Sequence, residues 1–197
     1  MATNSESENT ILRLWLLLHR VHDALALCED FTFRRYGLTM EQFGVLSTVK
    51  GSAGSLRPTD LAQWLERSPN SVSMLVDRMV KAGLVRRIRD RADRRVVNVT
   101  LTSKGENALE PAAPAGWELV QKILSPLSDE DKHALAGLLE TVKGEALGYL
   151  NPEADVAEII KNSVTNQPDL YERMVKKISP SGSEAKRQGG KKRKTMR

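Results

Sequence analysis

The run LAQWLERSPNSVSMLVDRMVKAGLVRR, residues 61–87, decides the fold. Its apolar positions recur at three- and four-residue spacings, the mark of helical faces. Leu61, Ala62 and Leu65 give the inner face of a short helix, and Pro58 suits its first turn, where a missing amide donor would be unpaired in any case. Glu66-Arg67 turns the chain, Ser68 caps a second helix and Pro69 takes its first position. Val72, Leu75, Val76, Met79 and Val80 form the buried stripe of that helix, and Gly83 ends it. Left outside are Asn70, Ser71, Ser73, Met74, Asp77, Arg78 and Lys81, so small hydrogen-bonding side chains crowd the start of the exposed face.

Downstream, in DRADRRVVNVTLTSKG (residues 90–105), the period changes from 3.6 to 2. Val97, Val99 and Leu101 alternate with Val96, Asn98 and Thr100, as in a half-buried strand. Residues 85–89 are its natural partner, which makes a β-hairpin whose tip holds Arg91, Asp93, Arg94 and Arg95. Residues 84–95 carry six arginines and two aspartates, a local +4.

Working outward, residues 11–36 read as one long helix. Leu14, Leu18, Val21, Leu25 and Cys28 trace one face, while Ile11, Leu12, Trp15, Leu16 and Leu17 make the first half apolar nearly all round. Such a helix needs partners on several sides, and the chain is too short to supply them all, so a second subunit is the expected cover. Gly37 ends it as a left-handed cap. Thr39 and Gln42 form a capping box, flanked by Leu38 and Phe43 as a hydrophobic staple. Phe43, Leu46 and Val49 carry the buried face of that second helix, and residues 51–55 (GSAGS) read as a loop. Residues 102–124 are helical again, with Pro111 and Pro114 expected to start, kink or break the run. A second capping box, Ser128 with Asp131, opens a helix to about residue 150 that is expected to bury Leu135, Leu138, Leu139 and Val142. Weaker helical patterns follow residue 152. The fold class is mainly α with a small β-hairpin. Residues 1–10 are expected to be a disordered N-terminus, 11–150 the folded domain, 151–178 a helical extension and 179–197 a disordered basic tail.

Charge and composition narrow the function. The 197 residues carry a net +5, but residues 181–197 hold seven basic side chains against one acid, a net +6 that leaves residues 1–180 at −1. The basic balance therefore belongs to the tail and not to the folded body. A single cysteine, Cys28, excludes an intrachain disulfide and a cysteine-based zinc cluster. The most apolar stretch, residues 14–18, falls well short of a membrane span, and the polar, acidic start does not resemble an export signal. A cytoplasmic location with no membrane partner is expected. No glycine-rich phosphate loop or His-Glu-x-x-His is present, and His19, His22 and His133 form no recognisable metal or triad set. No enzyme activity and no cofactor are expected.

The chain resembles the MarR family of bacterial winged helix-turn-helix regulators. The resemblance rests on residues 61–87 and, more specifically, on Asp93 and Arg95 preceding Val99, Leu101, Thr102 and Gly105. It covers residues 11–150 in element order and implies a winged helix-turn-helix lobe (38–105) with dimerisation helices at 11–37 and 106–150. It further implies a homodimer on double-stranded DNA. Asn70, Ser71 and Ser73, with the cap Ser68, would then face base edges or phosphates in the major groove. Arg95, oriented by Asp93 and accompanied by Arg91 and Arg94, would enter the minor groove. Arg78, Lys81, Arg86 and Arg87 are placed for phosphates. Arg57 departs from the Ser or Thr usual at its position, and is expected either to touch phosphate or to be plain surface.

Members of the family often sense a small, usually aromatic or phenolic, effector in a cleft between the dimer helices and the DNA-binding lobe. Here Trp15, His19, His22, Tyr36, Phe43 and Trp117 either line such a cleft or are core and interface residues. Cys28, deep in its helix and followed by Glu29 and Asp30, is expected to be a buried structural residue, because neighbouring negative charge disfavours a thiolate. The resulting reading is a homodimeric repressor of a palindromic promoter site, released by a small ligand. The alternative is an architectural, nucleoid-type DNA binder without an effector, its affinity dominated by the basic tail.

Overall fold

The computed structural model describes residues 2–52, 54–90 and 94–150. The segments 151–178 and 179–197, expected as a helical extension and a basic tail, lie outside the described residues. Among the described residues six helices and three short strands follow one another as α1 (Ala2–Arg34), α2 (Met40–Gly51), β1 (Ser55–Leu56), α3 (Pro58–Trp64), α4 (Pro69–Lys81), β2 (Val85–Arg89), β3 (Val97–Leu101), α5 (Ser103–Leu124) and α6 (Asp129–Leu150).

Local signals set most of the boundaries. At the end of α1, Leu38 N–H donates to the Phe33 carbonyl (3.2 Å) and Gly37 N–H to that of Arg34 (3.0 Å). Gly37 sits at φ +69°, so the helix closes in a Schellman motif that an L side chain would strain. The same motif closes α4, where Leu84 N–H reaches the Met79 carbonyl, Gly83 N–H reaches that of Val80, and Gly83 has φ +72°. At α2, the Thr39 hydroxyl accepts from Gln42 N–H (3.2 Å) and the Gln42 side chain accepts from Thr39 N–H (3.0 Å). Ser128 and Asp131 exchange the corresponding bonds at α6 (3.2 and 3.1 Å).

The sheet has order β1-β3-β2, antiparallel throughout. The hairpin pairs Val85 with Leu101, Arg87 with Val99 and Arg89 with Val97. β1 adds Ser55 opposite Thr100 and Leu56 opposite Val99, so Ser55, expected in a loop, belongs to a third strand. Two residues carry no readable period, and only the distant β3 makes them a strand.

The core lies between α2, α3, α4 and this sheet. Val45, Leu46, Val49, Leu61, Val72, Val76 and Met79 are fully enclosed there, with Val85 and Val99 from the hairpin. Each such side chain contributes about 1.5–3 kcal/mol by leaving water. α1 joins the lobe only through its C-terminal end. Phe33 stacks on Phe43 with centroids 3.9 Å apart and planes at 14°. Gly116 of α5 lets this pair approach, since a Cβ there would stand 3.1 Å from the Phe33 ring.

Several expectations are corrected. α1 begins at Ala2, so residues 2–10, expected to be disordered, continue the helix; no glycine or proline interrupts them. α5 neither starts nor breaks at Pro111 and Pro114 but runs through both from its cap at Thr102. Each ring removes the amide donor that the carbonyls of Asn107 and Glu110 would otherwise meet, and both of those residues are exposed, so water can take the donor's place. Val80 is 39% exposed and does not join the buried stripe of α4. Leu135, Leu138, Leu139 and Val142 of α6 also face solvent, as do Ile11, Trp15 and Leu17 of α1. Among the described residues nothing covers those faces, and in α6 only Gly144 is buried. For the same reason Cys28, expected to be buried, is exposed.

Candidate nucleic-acid interface

α4 begins on a proline and a serine cap, which leaves its first turn short of hydrogen bonds except where side chains complete it. The Ser68 hydroxyl accepts from Ser71 N–H (3.2 Å), and the two serine hydroxyls lie 2.8 Å apart. Ser68 and Ser71 therefore hold the helix start together. Asn70, Met74, Asp77, Arg78 and Lys81 lie exposed along the outer face, and Ser73 is half-buried at its border. The opposite face is sealed against the core by Val72, Leu75, Val76 and Met79.

β2 passes close to this face. Arg87 donates to the Asp77 carboxylate at 2.5 Å, joining the hairpin to the outer side of α4. Arg86 Nε approaches the Thr100 hydroxyl at 3.4 Å across the sheet. Arg86, Arg87 and Arg89 are exposed, as are Arg94 and Arg95 at the near end of the tip. The other expected tip residues, Arg91 and Asp93, lie outside the described residues. The hairpin closes through Asp90 N–H donating to the Val96 carbonyl (2.9 Å).

The Val-x-Leu-Thr-x-x-Gly ending acquires a structural reason. The Thr102 hydroxyl donates to the Gly83 carbonyl (2.6 Å) and accepts from Gly105 N–H (3.1 Å). One side chain thus caps α5 and ties it to the end of α4. A Cβ on Gly105 would stand 2.1 Å from the Leu84 carbonyl oxygen, so only glycine fits that close backbone approach. This junction fixes where the hairpin leaves the helical lobe.

Two features had weaker signals in the sequence. Arg57 offers no side-chain cap to α3. Its Nε donates to Asp60 (2.8 Å), a surface ion pair, and the Asp60 hydrogen bond followed by its charge raises the guanidinium pKa further. Glu66, in the turn between α3 and α4, has φ +50°, a left-handed conformation in which glycine is ordinary and glutamate uncommon. Its carboxylate accepts from Lys143 Nζ of α6 at 2.5 Å. The pairs Asp77–Arg87 and Glu66–Lys143 join opposite charges far apart in sequence, so no spacing rule could have found them.

The effector candidates are not gathered within one chain. Trp15 and His19 meet edge to face with centroids 5.0 Å apart, both exposed on α1. His22 lies a turn beyond, beside Asp23 (3.4 Å). Tyr36 and Phe43 pack against the lobe core, and Trp117 is 42% exposed on α5. Trp15 and Tyr36 are separated by about 30 Å along the helix axis at 1.5 Å per residue, too far for one small-molecule pocket in a single protomer. Among the described residues no cluster of three or more His, Cys, Asp or Glu could hold a metal ion. None of the described helices is long and apolar enough to cross a membrane.

A helix-turn-helix followed by an arginine-bearing hairpin defines the class: a winged helix-turn-helix protein. Residues 36–96 match the MarR family model. The HTH-type transcriptional regulator PecS of Dickeya dadantii is 30% identical over 136 residues, covering 68% of this chain and 78% of that protein. A cysteine-to-serine mutant of Escherichia coli MarR, solved with operator DNA, superposes with a TM-score of 0.61 at 27% identity, covering 68% of this chain and 96% of that one. A MepR-like protein solved with pseudoligands superposes at 0.56 with 29% identity over 70% of this chain and 96% of that one. The chain belongs to the MarR family. It is accordingly a transcriptional regulator and not an enzyme.

Proposed function

We propose that this regulator is a homodimeric repressor that binds a palindromic promoter site through α4 and the wing and leaves it when a small ligand binds. One observation carries the reading: the outer face of α4 presents Asn70, Arg78 and Lys81 to solvent beside a wing whose Arg86, Arg89, Arg94 and Arg95 are exposed on the same lobe. α4 has the dimensions to lie in a major groove, and arginines on a hairpin can follow phosphates or enter the minor groove. The operator complex of the E. coli relative supports this assignment.

The exposed apolar sides of α1 and α6 support the dimer, because large contiguous apolar surface in water marks an interface. Two-fold symmetry then presents two reading helices, which calls for a palindromic site. The MepR-like relative with pseudoligands supports a ligand-responsive regulator. In such a dimer the ligand acts by preferring a geometry whose two helices no longer match successive grooves.

The test is binding to the DNA upstream of the protein's own gene, titrated with unrelated competitor at physiological salt. A symmetric footprint that survives competitor is expected; specific affinity typically exceeds nonspecific affinity by ~10³-fold or more. Loss of all binding to competitor would overturn the reading for that site. The net +6 of residues 181–197 favours a second reading, an architectural binder. Deleting those residues separates the two: a regulator keeps its sequence preference, whereas an architectural binder loses most of its affinity.

A further inference from the structure

The outer face of α4 offers fewer base-reading groups than its composition suggests. The Ser71 hydroxyl is bonded to that of Ser68 at 2.8 Å, the Asp77 carboxylate to Arg87 at 2.5 Å, and Ser73 is half-buried. Arg78 and Lys81 occupy the last turn, where long cationic side chains reach phosphates. Asn70 and Met74 are left. Asn70 is exposed, and its side chain makes no hydrogen bond among the described residues. Met74 is 66% exposed, more than any other large apolar side chain described between residues 38 and 105.

Asn70 and Met74 stand four residues apart, on one face and about 6 Å apart along the axis. That is about two base-pair steps at 3.4 Å each. Met74 lies midway along the exposed face, with Asn70 a turn before it and Asp77 and Arg78 a turn after. An unbranched thioether has no use for a phosphate or for the donor and acceptor edges of the bases. The major groove displays one apolar group, the C5-methyl of thymine. A flexible, polarisable side chain is suited to pack on it.

We infer that Met74 is a specificity-determining residue that packs on the C5-methyl group of one thymine in each half-site. The inference rests on the reading of α4 as the helix that enters the major groove. It assigns the centre of each half-site to apolar recognition, with Asn70 taking the adjoining bases by hydrogen bonds.

The experiment selects duplexes from a random library with the full-length protein and with Met74→Ala, and then replaces each thymine of the selected site by uracil in turn. One uracil per half-site is expected to weaken the wild-type protein about fourfold, the equivalent of ~0.8 kcal/mol for one buried methyl group. The same replacement leaves Met74→Ala unaffected. A 5-methylcytosine at that position is bound more tightly than cytosine by the wild type alone. The inference is overturned if no thymine methyl matters, or if Met74→Ala loses as much as the wild type on uracil substitution. If the wild type selects no sequence at all, the reading of α4 as a DNA-reading helix fails, and this inference with it. Met74 is exposed and alanine favours helix, so the variant folds; circular dichroism verifies this.

Discussion

Lys143 of α6 donates to the carboxylate of Glu66 at 2.5 Å, joining that helix to the turn between α3 and α4. Glu66 holds that turn at φ +50°, so the residue that receives the tie is also the one non-glycine residue described in a left-handed conformation. The pair is half-exposed, and such pairs are worth about 0–1 kcal/mol.

Glu66→Gly is therefore expected to raise stability by up to about 1 kcal/mol, because release of the left-handed strain outweighs the loss of the exposed side chain's interactions, the Lys143 pair among them. Lys143→Ala, which removes the pair and keeps the strain, lowers stability by less than about 1 kcal/mol. Urea denaturation at one fixed protein concentration distinguishes the two signs.

Gly105→Ala forces a Cβ onto the Leu84 carbonyl oxygen, a backbone atom that cannot rotate away. A loss of about 3 kcal/mol is expected, at the upper end for overpacking. Gly137→Ala is the control. Nothing lies within 4 Å of a Cβ there, and a gain of up to about 1 kcal/mol is expected in a helix interior.

Acidification is expected to destabilise the fold from about pH 4 downward, where carboxylates protonate. Glu106 is held below its usual pKa by its hydrogen bond from Lys50 and then by that charge; Asp129 is held low in the same way by Lys132, and Asp131 by hydrogen bonds from Ser128. Groups with depressed folded-state pKa values contribute stability above their unfolded values and lose it as pH falls through the folded ones. Glu29 has the opposite sign: burial raises its pKa, against a smaller lowering by His22, so acid relieves a penalty there. Thermal melts between pH 3 and 7 are expected to show a shallower acid decline for Glu106→Gln than for the wild type.

Leu138→Glu tests the dimer without touching the core. Leu138 is 66% exposed in the single chain, so a monomer would tolerate the change within about 0.5 kcal/mol. A charge placed in an apolar interface is expected to raise the dimer dissociation constant by at least about tenfold, or ~1.4 kcal/mol. Light scattering across a dilution series reads this directly. A wild-type monomer at micromolar concentration would remove the dimer altogether.

What the sequence determined by itself is what short-range chemistry controls. The Thr39–Gln42 and Ser128–Asp131 boxes, the glycines at 37 and 83, the Ser68-Pro69 start of α4 and the alternation through Val97 and Val99 each act within a few residues. Their elements could therefore be read in place, together with the exposed polar face of α4. Tertiary structure decided what depends on distant partners. Ser55 and Leu56 are a strand only because β3 pairs with them. Pro111 and Pro114 pass through α5 because the freed carbonyls belong to exposed residues. Asp77 meets Arg87, and Glu66 meets Lys143, only after the lobe has closed. Apolar periodicity in α1 and α6 says that a face seeks cover and not what supplies it; their exposure in the single chain follows from that difference.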